Sequence, residues 1–165
     1  MYHKIIFLIV VFMSGGAEAF DAKNASLFCS TEFSAGLSYN SVNKRWQAAT
    51  FRPSAKFILK LKFQGSRVRK DILNKDEAVN DYEVTITPAG TNSTVPCYSA
   101  SNDRRGLISF GEIDNYFDCV AVLQQYSFNM KNNRFLEAYL FGYVTGEDNN
   151  DDTPSVAGGT CTRID

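Results

Sequence analysis

Residue types able to do acid–base or nucleophilic chemistry are few in this chain and poorly spaced for it. The single histidine is His3. It stands in an N-terminal stretch that reads as an export signal: a basic start at His3 and Lys4, nine uninterrupted apolar residues from Ile5 to Met13, and the small-x-small pattern Ala17-Glu18-Ala19 before Phe20. Removal of residues 1–19 leaves a chain without imidazole. Such a chain cannot run a Ser-His-Asp or Cys-His mechanism, and it lacks the commonest ligand of zinc, copper and non-haem iron sites. No cofactor and no metal is expected.

The carboxylates are the remaining catalytic candidates. Glycoside hydrolysis needs two acids about 5–9.5 Å apart in one cleft, and Glu32, Glu112 and Glu137 are the residues to consider, with no pair favoured. Asp148, Asn150 and Asp152 match the opening of a calcium loop, but Thr153 stands where the sharp turn needs glycine and Gly159 where the bidentate glutamate belongs, so a solvated loop tip is expected. Ser41-Val42-Asn43-Lys44 spells Ser-x-x-Lys without the accompanying Lys-Thr-Gly or Ser-Asp-Asn. Gly106 to Gly111 has phosphate-loop spacing but is followed by Glu112 instead of lysine.

Four cysteines, Cys29, Cys97, Cys119 and Cys161, lie beyond the signal and include no Cys-x-x-Cys pair. In an oxidising compartment an even set of this kind forms structural disulfides. Of the three possible pairings the favoured one is Cys97 with Cys119, within the middle of the chain, and Cys29 with Cys161, tying the first strand to the last.

Charge is unevenly placed although the formal net is only −1. From Lys44 to Lys75 there are ten Lys or Arg against the single acid Asp71. Alternation puts Lys56, Lys60 and Lys62 on one solvent face, and Arg67, Arg69 and Lys70 are expected in the adjoining loop, which together would make a basic patch. An anionic envelope component would suit it; lysines on a strand face also guard a sheet edge against aggregation. The weak overall field argues against nucleic acid as partner.

The elements that must carry these residues show a period of two almost throughout. Phe33, Ala35, Leu37 and Tyr39 share a face, as do Phe57, Leu59, Leu61 and Phe63, and again Tyr82, Val84 and Ile86. Strands are also expected around Trp46 to Phe51, at Gly106 to Phe110, at Phe117 to Leu123, and on both sides of a hairpin at Asn132-Asn133. Asp71 to Val79 is the one candidate for a short surface helix. The pattern is that of an all-β protein: a small antiparallel β-barrel or sandwich of about eight to ten strands, with at most one short helix and two disulfides, in a single domain over residues 20–165. At 44% hydrophobic and 13% aromatic the composition supports an independent core.

Arg134 to Val144 reads as a long strand with two apolar faces, one carrying Leu136, Ala138, Leu140 and Val144, the other Phe135, Glu137, Tyr139, Phe141 and Tyr143. Either the outer face is covered or one face lines a cavity. The covered outer face is the expectation, and Glu137 keeps the cavity in play, because a carboxylate among aromatic rings must be paired, protonated or near water. Tyr139 marks an aromatic alternative to the basic patch as a binding surface.

Phe28-Cys29 followed by the alternating Leu37, Tyr39 and Asn40 resembles the opening strands of small exported bacterial β-barrels, lipocalin-like proteins and the C-type lysozyme inhibitors among them. The resemblance supplies no inhibitory residue at a numbered position here, and the missing histidine, the absent nucleophile motifs and the strand pattern argue for binding without catalysis. The expectation is therefore an exported binding or interaction protein, periplasmic or secreted, with no transmembrane segment after the signal and with an anionic envelope component or a protein as partner. A carboxylate-based glycan hydrolase and a lysozyme-inhibitor-like protein are the alternatives.

Overall fold

The structure, a computed structural model, describes residues 23–71, 73–99, 106–111 and 115–165. The expected signal segment and Glu112 lie outside the described residues. Ten strands form one antiparallel sheet: β1 (Ala25–Asn40), β2 (Arg45–Phe51), β3 (Lys56–Lys70), β4 (Asp76–Pro88), β5 (Val95–Cys97), β6 (Ile108–Gly111), β7 (Tyr116–Ala121), β8 (Gln124–Asn129), β9 (Arg134–Tyr139) and β10 (Ser155–Arg163). Their order is β5-β4-β3-β1-β10-β9-β8-β7, with β2 paired to the far half of β1 and β6 to β4. The all-β class, the strand number and both favoured disulfides, Cys29–Cys161 and Cys97–Cys119, are as expected.

Among the described residues no continuous ladder closes this sheet into a barrel. Its two ends meet at a single bridge, where Tyr98 and Val120 exchange backbone hydrogen bonds of 3.0 and 2.8 Å beside the Cys97–Cys119 disulfide. Aromatic side chains fill the gap. Tyr82, Phe110, Phe117 and Phe128 stack in sequence at 4.7, 5.2 and 5.0 Å between ring centroids, running from β4 through β6 and β7 to β8. Offset stacking of this kind adds to the burial of each ring. Leu27, Cys29, Leu59, Leu61, Val84, Ile86 and Ile108 complete the core.

Three local readings are corrected. Asp71 to Val79 is no helix: Asp71 Oδ1 accepts the Leu73 and Lys75 amides at 2.8 Å, an Asx-type turn that uses Asn74 at φ 61°, and β4 starts at Asp76. Such side-chain to backbone bonds compete directly with helix formation. The strand expected from Arg134 ends at Tyr139, and Tyr143–Thr145 is a short 3-10 turn. It ends there because the chain turns at Gly142, whose φ is 87° and where any Cβ would fall on the Asp152 carbonyl oxygen; only glycine fits.

The third correction concerns β1. A β-bulge between Thr31 and Phe33 inserts Glu32 as an extra residue against β10, and one extra residue exchanges the two faces of a strand. Ala25, Leu27 and Cys29 therefore point into the core, whereas Phe33 and Ala35, expected on the buried face, point outward.

A tight hairpin between β7 and β8 also falls inside what the sequence presents as one strand, Phe117 to Leu123. Val122 takes φ 58° at the tip, a conformation that a β-branched residue adopts only under strain. Val122 is 75% exposed and has little packing to lose. Val122→Gly is expected to raise stability by about 1 kcal/mol, read as a higher urea midpoint at unchanged m; a lower midpoint would contradict this assignment.

Candidate functional site

The basic segment is largely consumed by the fold. Arg67, Arg69 and Lys70 lie in β3 and not in a loop, and β4 supplies an acid for each. Arg67 Nε donates to both Asp81 oxygens at 3.2 and 3.0 Å, and its Nη2 reaches Ser109 Oγ at 3.1 Å, tying β3, β4 and β6. Arg69 pairs with Glu77 at 2.9 Å, Lys70 with Asp76 at 2.7 Å and Lys62 with Glu83 at 3.3 Å. A second bulge, between Phe63 and Gly65, keeps Arg67 and Arg69 on the Lys60 and Lys62 side and sends Lys70 to the other. Of the six expected binding cations, only Lys56 and Lys60 have no ion pair among the described residues.

The acidic loop is likewise committed. Trp46 Nε1 donates to Asp148 at 2.9 Å, and the Asn150 side chain makes two bonds with the backbone of Tyr39, accepting at 2.7 Å and donating at 2.8 Å. Tyr139 donates its hydroxyl to Asp152 at 2.7 Å, a bond that holds the phenol proton above the ordinary tyrosine value. The oxygen groups that resemble a calcium loop in sequence thus serve three separate partners, and Tyr139 anchors this loop. No group of three or more His, Cys, Asp or Glu placed to hold a metal occurs among the described residues.

Two concave surfaces among the described residues lie on opposite faces of the sheet. Outside, across β1, β10, β9, β8 and β7, a groove of about 580 Å³ is lined by Glu32, Phe33, Tyr116, Arg134, Leu136 and Thr160. The register sets Phe33, Gly158, Leu136, Ser127 and Asp118 in one row across it. Gly158 lets Phe33 and Leu136 lie close over β10: a methyl there would stand 2.5 Å from Phe33 Cζ and 2.8 Å from Leu136 Cδ2. Phe33 is 56% and Leu136 49% exposed. The polar rim is mostly satisfied within the protein, since Glu32 accepts from Thr160 at 2.6 Å and Asp118 accepts from Tyr116 at 2.8 Å and from Ser127. Arg134 has no ion pair among the described residues.

Inside, at one end of the core, a pocket of about 230 Å³ opens between β1, β9, β10 and the segment after β2. Ser34, Ala157, Glu137, Tyr126 and Cys119 form the inward row at that level. Glu137 lines this pocket. Its carboxyl has no hydrogen-bond or ion-pair partner among the described residues, and burial raises its pKa above the ordinary 4.5. Opposite it, the Tyr126 phenol is pushed far up by burial and then by the Glu137 charge, and it donates to Gln124. Glu32 and Glu137 line different pockets on opposite faces, so they form no hydrolytic pair.

Sequence reading missed Thr31, Ser34 and Arg52 in the inner pocket and Phe33 and Thr160 in the groove. The β1 bulge decides which of these face which side, and no residue type announces it.

A stability profile tests the Glu137 environment. The folded protein holds this proton to higher pH than the unfolded chain does, so it binds more protons just above pH 4.5, and stability must fall as pH rises through that window. Glu137→Gln is expected to abolish this fall, giving a variant more stable than the parent at pH 7 and equal to it once both folded and unfolded glutamate are protonated. Urea midpoints across the range provide the measurement; a less stable variant at pH 7 would reveal a partner for the carboxylate.

Fold and surface together define an all-β protein stapled by two disulfides, with an apolar groove on one face of the sheet and a polar pocket on the other. Comparison with protein family models, with characterised proteins and with solved structures finds no match.

Proposed function

We propose that the protein is an exported, non-catalytic interaction protein of the cell envelope that recognises another protein through the outer groove. The observation that carries this reading is the pair of half-exposed side chains Phe33 and Leu136 over Gly158, in a groove whose acids are already hydrogen-bonded. Apolar patches left open on a folded surface mark contact sites, and this pair of apolar side chains, with Arg134 in the lining and without an ion pair among the described residues, suits an apolar side chain flanked by a carboxylate. Export is supported by the N-terminal signal pattern and by the two disulfides, which persist in oxidising compartments. No helix among the described residues is long and apolar enough to cross a membrane. The basic strand supports an anionic surface partner less well, because β4 neutralises most of it.

A photo-crosslinking residue placed at Val156, which borders the groove, should form a discrete protein adduct in the exporting cell, and Phe33→Ser together with Leu136→Arg should remove it. The same probe at Val68, exposed on β3, is the control. Equal labelling at both positions, or none at Val156, would overturn the groove. Turnover on a glycan hydrolase panel that Glu137→Gln abolishes would overturn the non-catalytic reading.

A further inference from the structure

The inner pocket carries polar groups that the fold does not use. Thr31 Oγ1 is fully buried there with no hydrogen-bond partner. Glu137 presents an unpaired carboxyl, and Arg52, on the segment leaving β2, lines the same pocket without pairing to it. Burying a polar group without a partner costs stability, and burying a carboxylate costs more. No hydrogen bond or ion pair among the described residues offsets that cost: the cross-strand neighbours of Glu137 are Ala157 and Tyr126, and the Tyr126 hydroxyl is turned to Gln124.

Opposite charges held in one small pocket and kept apart from each other are the complement of a molecule that carries both charges itself. We infer that this pocket binds a zwitterionic metabolite of amino-acid size, its ammonium on the Glu137 carboxylate and its carboxylate toward Arg52. The size agrees with this class. At about 230 Å³ the pocket is smaller than those that enclose drug-sized ligands, which run from about 300 Å³ upward. Ser34, Thr153 and Ser155 add hydroxyls to the wall, so the lining is polar and suits an amino acid with a short or polar side chain. This site is separate from the outer groove and does not depend on its occupant.

Proton linkage gives the site a signature that mere adhesion lacks. The titratable and charged groups facing Glu137 are Tyr126 from β8 and Arg52 from the segment after β2; β1 and β10 contribute Ser34 and Ala157. Around pH 5 an amino acid keeps both of its charges, and burial holds the Tyr126 proton far above that range. Ammonium binding then favours ionised Glu137, so complex formation releases a proton at acid pH and affinity rises with pH until Glu137 is fully ionised.

The test is calorimetric titration of the purified, disulfide-bonded protein with each of the twenty common amino acids, using acetate, methylamine and glucose as single-function controls. Binding of one or more amino acids is expected, with acetate, methylamine and glucose at least ten-fold weaker. Glu137→Gln and Arg52→Gln should each weaken it by about 10- to 100-fold, as loss of a charge-assisted bond does, and the rise in affinity between pH 4.5 and 7 should disappear in Glu137→Gln. Circular dichroism and urea midpoints establish that the variants are folded, which is expected because neither side chain has a partner to lose. Failure of every amino acid to bind at about 10 mM would overturn the inference. So would unchanged affinity in a folded Glu137→Gln protein, or glucose binding as tightly as the best amino acid.

Discussion

Phe128→Ala is expected to destabilise the protein by about 3–5 kcal/mol, the range for removing a large aromatic side chain from a closed core. Phe128 is 1% exposed and lies against Phe117 at 5.0 Å, Tyr126 at 5.8 Å, Phe135 at 6.0 Å and Phe57 at 6.3 Å between centroids. Its place matters as much as its size. The stack that begins at Tyr82 and ends at Phe128 spans the interval between β4 and β8 in which the ladder is interrupted, so packing does there what backbone hydrogen bonds do elsewhere in the sheet. Truncation leaves a cavity with rings on several sides, none of them free to collapse without leaving its own stack. For a domain of this size a loss of that order lowers Tm by roughly 10 °C or more. Phe33→Ala, on the exposed face, is the comparison and should change stability by less than about 1 kcal/mol. Equal shifts for the two variants would mean that the stack contributes nothing beyond ordinary surface packing.

Most strands were legible in the sequence because each buries one side only, and alternation is the direct imprint of a half-buried strand. β3 and β4 show this in Phe57, Leu59 and Leu61 and in Tyr82, Val84 and Ile86, all buried as the pattern requires. The pattern failed at phase changes. Phe33 and Ala35 alternate as well as Leu27 and Cys29 do, and only the unpaired Glu32 between them separates an outward set from an inward one. β10 was invisible as a pattern because Gly158 and Gly159 replace side chains exactly where its neighbours approach: a Cβ at Gly159 would meet Ser30, and at Gly158 the Phe33 ring.

The candidate sites depended on those same phase changes. Glu137 was found from chemistry alone, as a carboxylate among aromatic residues, and its pocket neighbours were not, because Thr31 and Ser34 reach the inner face on either side of the β1 bulge. The basic run was found from composition, but its meaning lay in the β3–β4 register, which sets Lys62 opposite Glu83, Arg69 opposite Glu77 and Lys70 opposite Asp76. Four cations of a run of ten that holds only one acid in sequence, Lys62, Arg67, Arg69 and Lys70, became cross-strand ion pairs once β4 was laid beside it. Exposed pairs such as Lys62–Glu83 and Lys70–Asp76 contribute little to stability individually, yet together the β3–β4 pairs neutralise four of the six cations of the expected patch and leave Lys56 and Lys60.

Replacing both Cys29 and Cys161 by alanine is expected to cost about 5 kcal/mol on the chain-entropy account, because the bridge closes a loop across 132 residues of sequence, and replacing Cys97 and Cys119 about 3 kcal/mol for a separation of 22. The two losses should differ in kind as well as in size. Cys29 and Cys161 face each other inside the β1–β10 ladder, which runs from Leu27 and Arg163 to Gly36 and Ser155, so the folded strands stay paired and the loss appears mainly as easier global unfolding. Cys97 and Cys119 sit where the sheet ends meet, beside the lone Tyr98–Val120 bridge. Without that disulfide, the amides of Tyr98 and Val120 should exchange with solvent by local opening, at a free energy well below that of global unfolding, while the Cys161 amide, bonded to Asn133 O at 2.8 Å, remains protected. Urea unfolding under non-reducing conditions measures the first effect and residue-resolved hydrogen exchange the second. If Tyr98 and Val120 stay as protected as the β1–β10 ladder after Cys97 and Cys119 are removed, the aromatic stack alone holds the sheet ends together, and the disulfide is redundant to the closure.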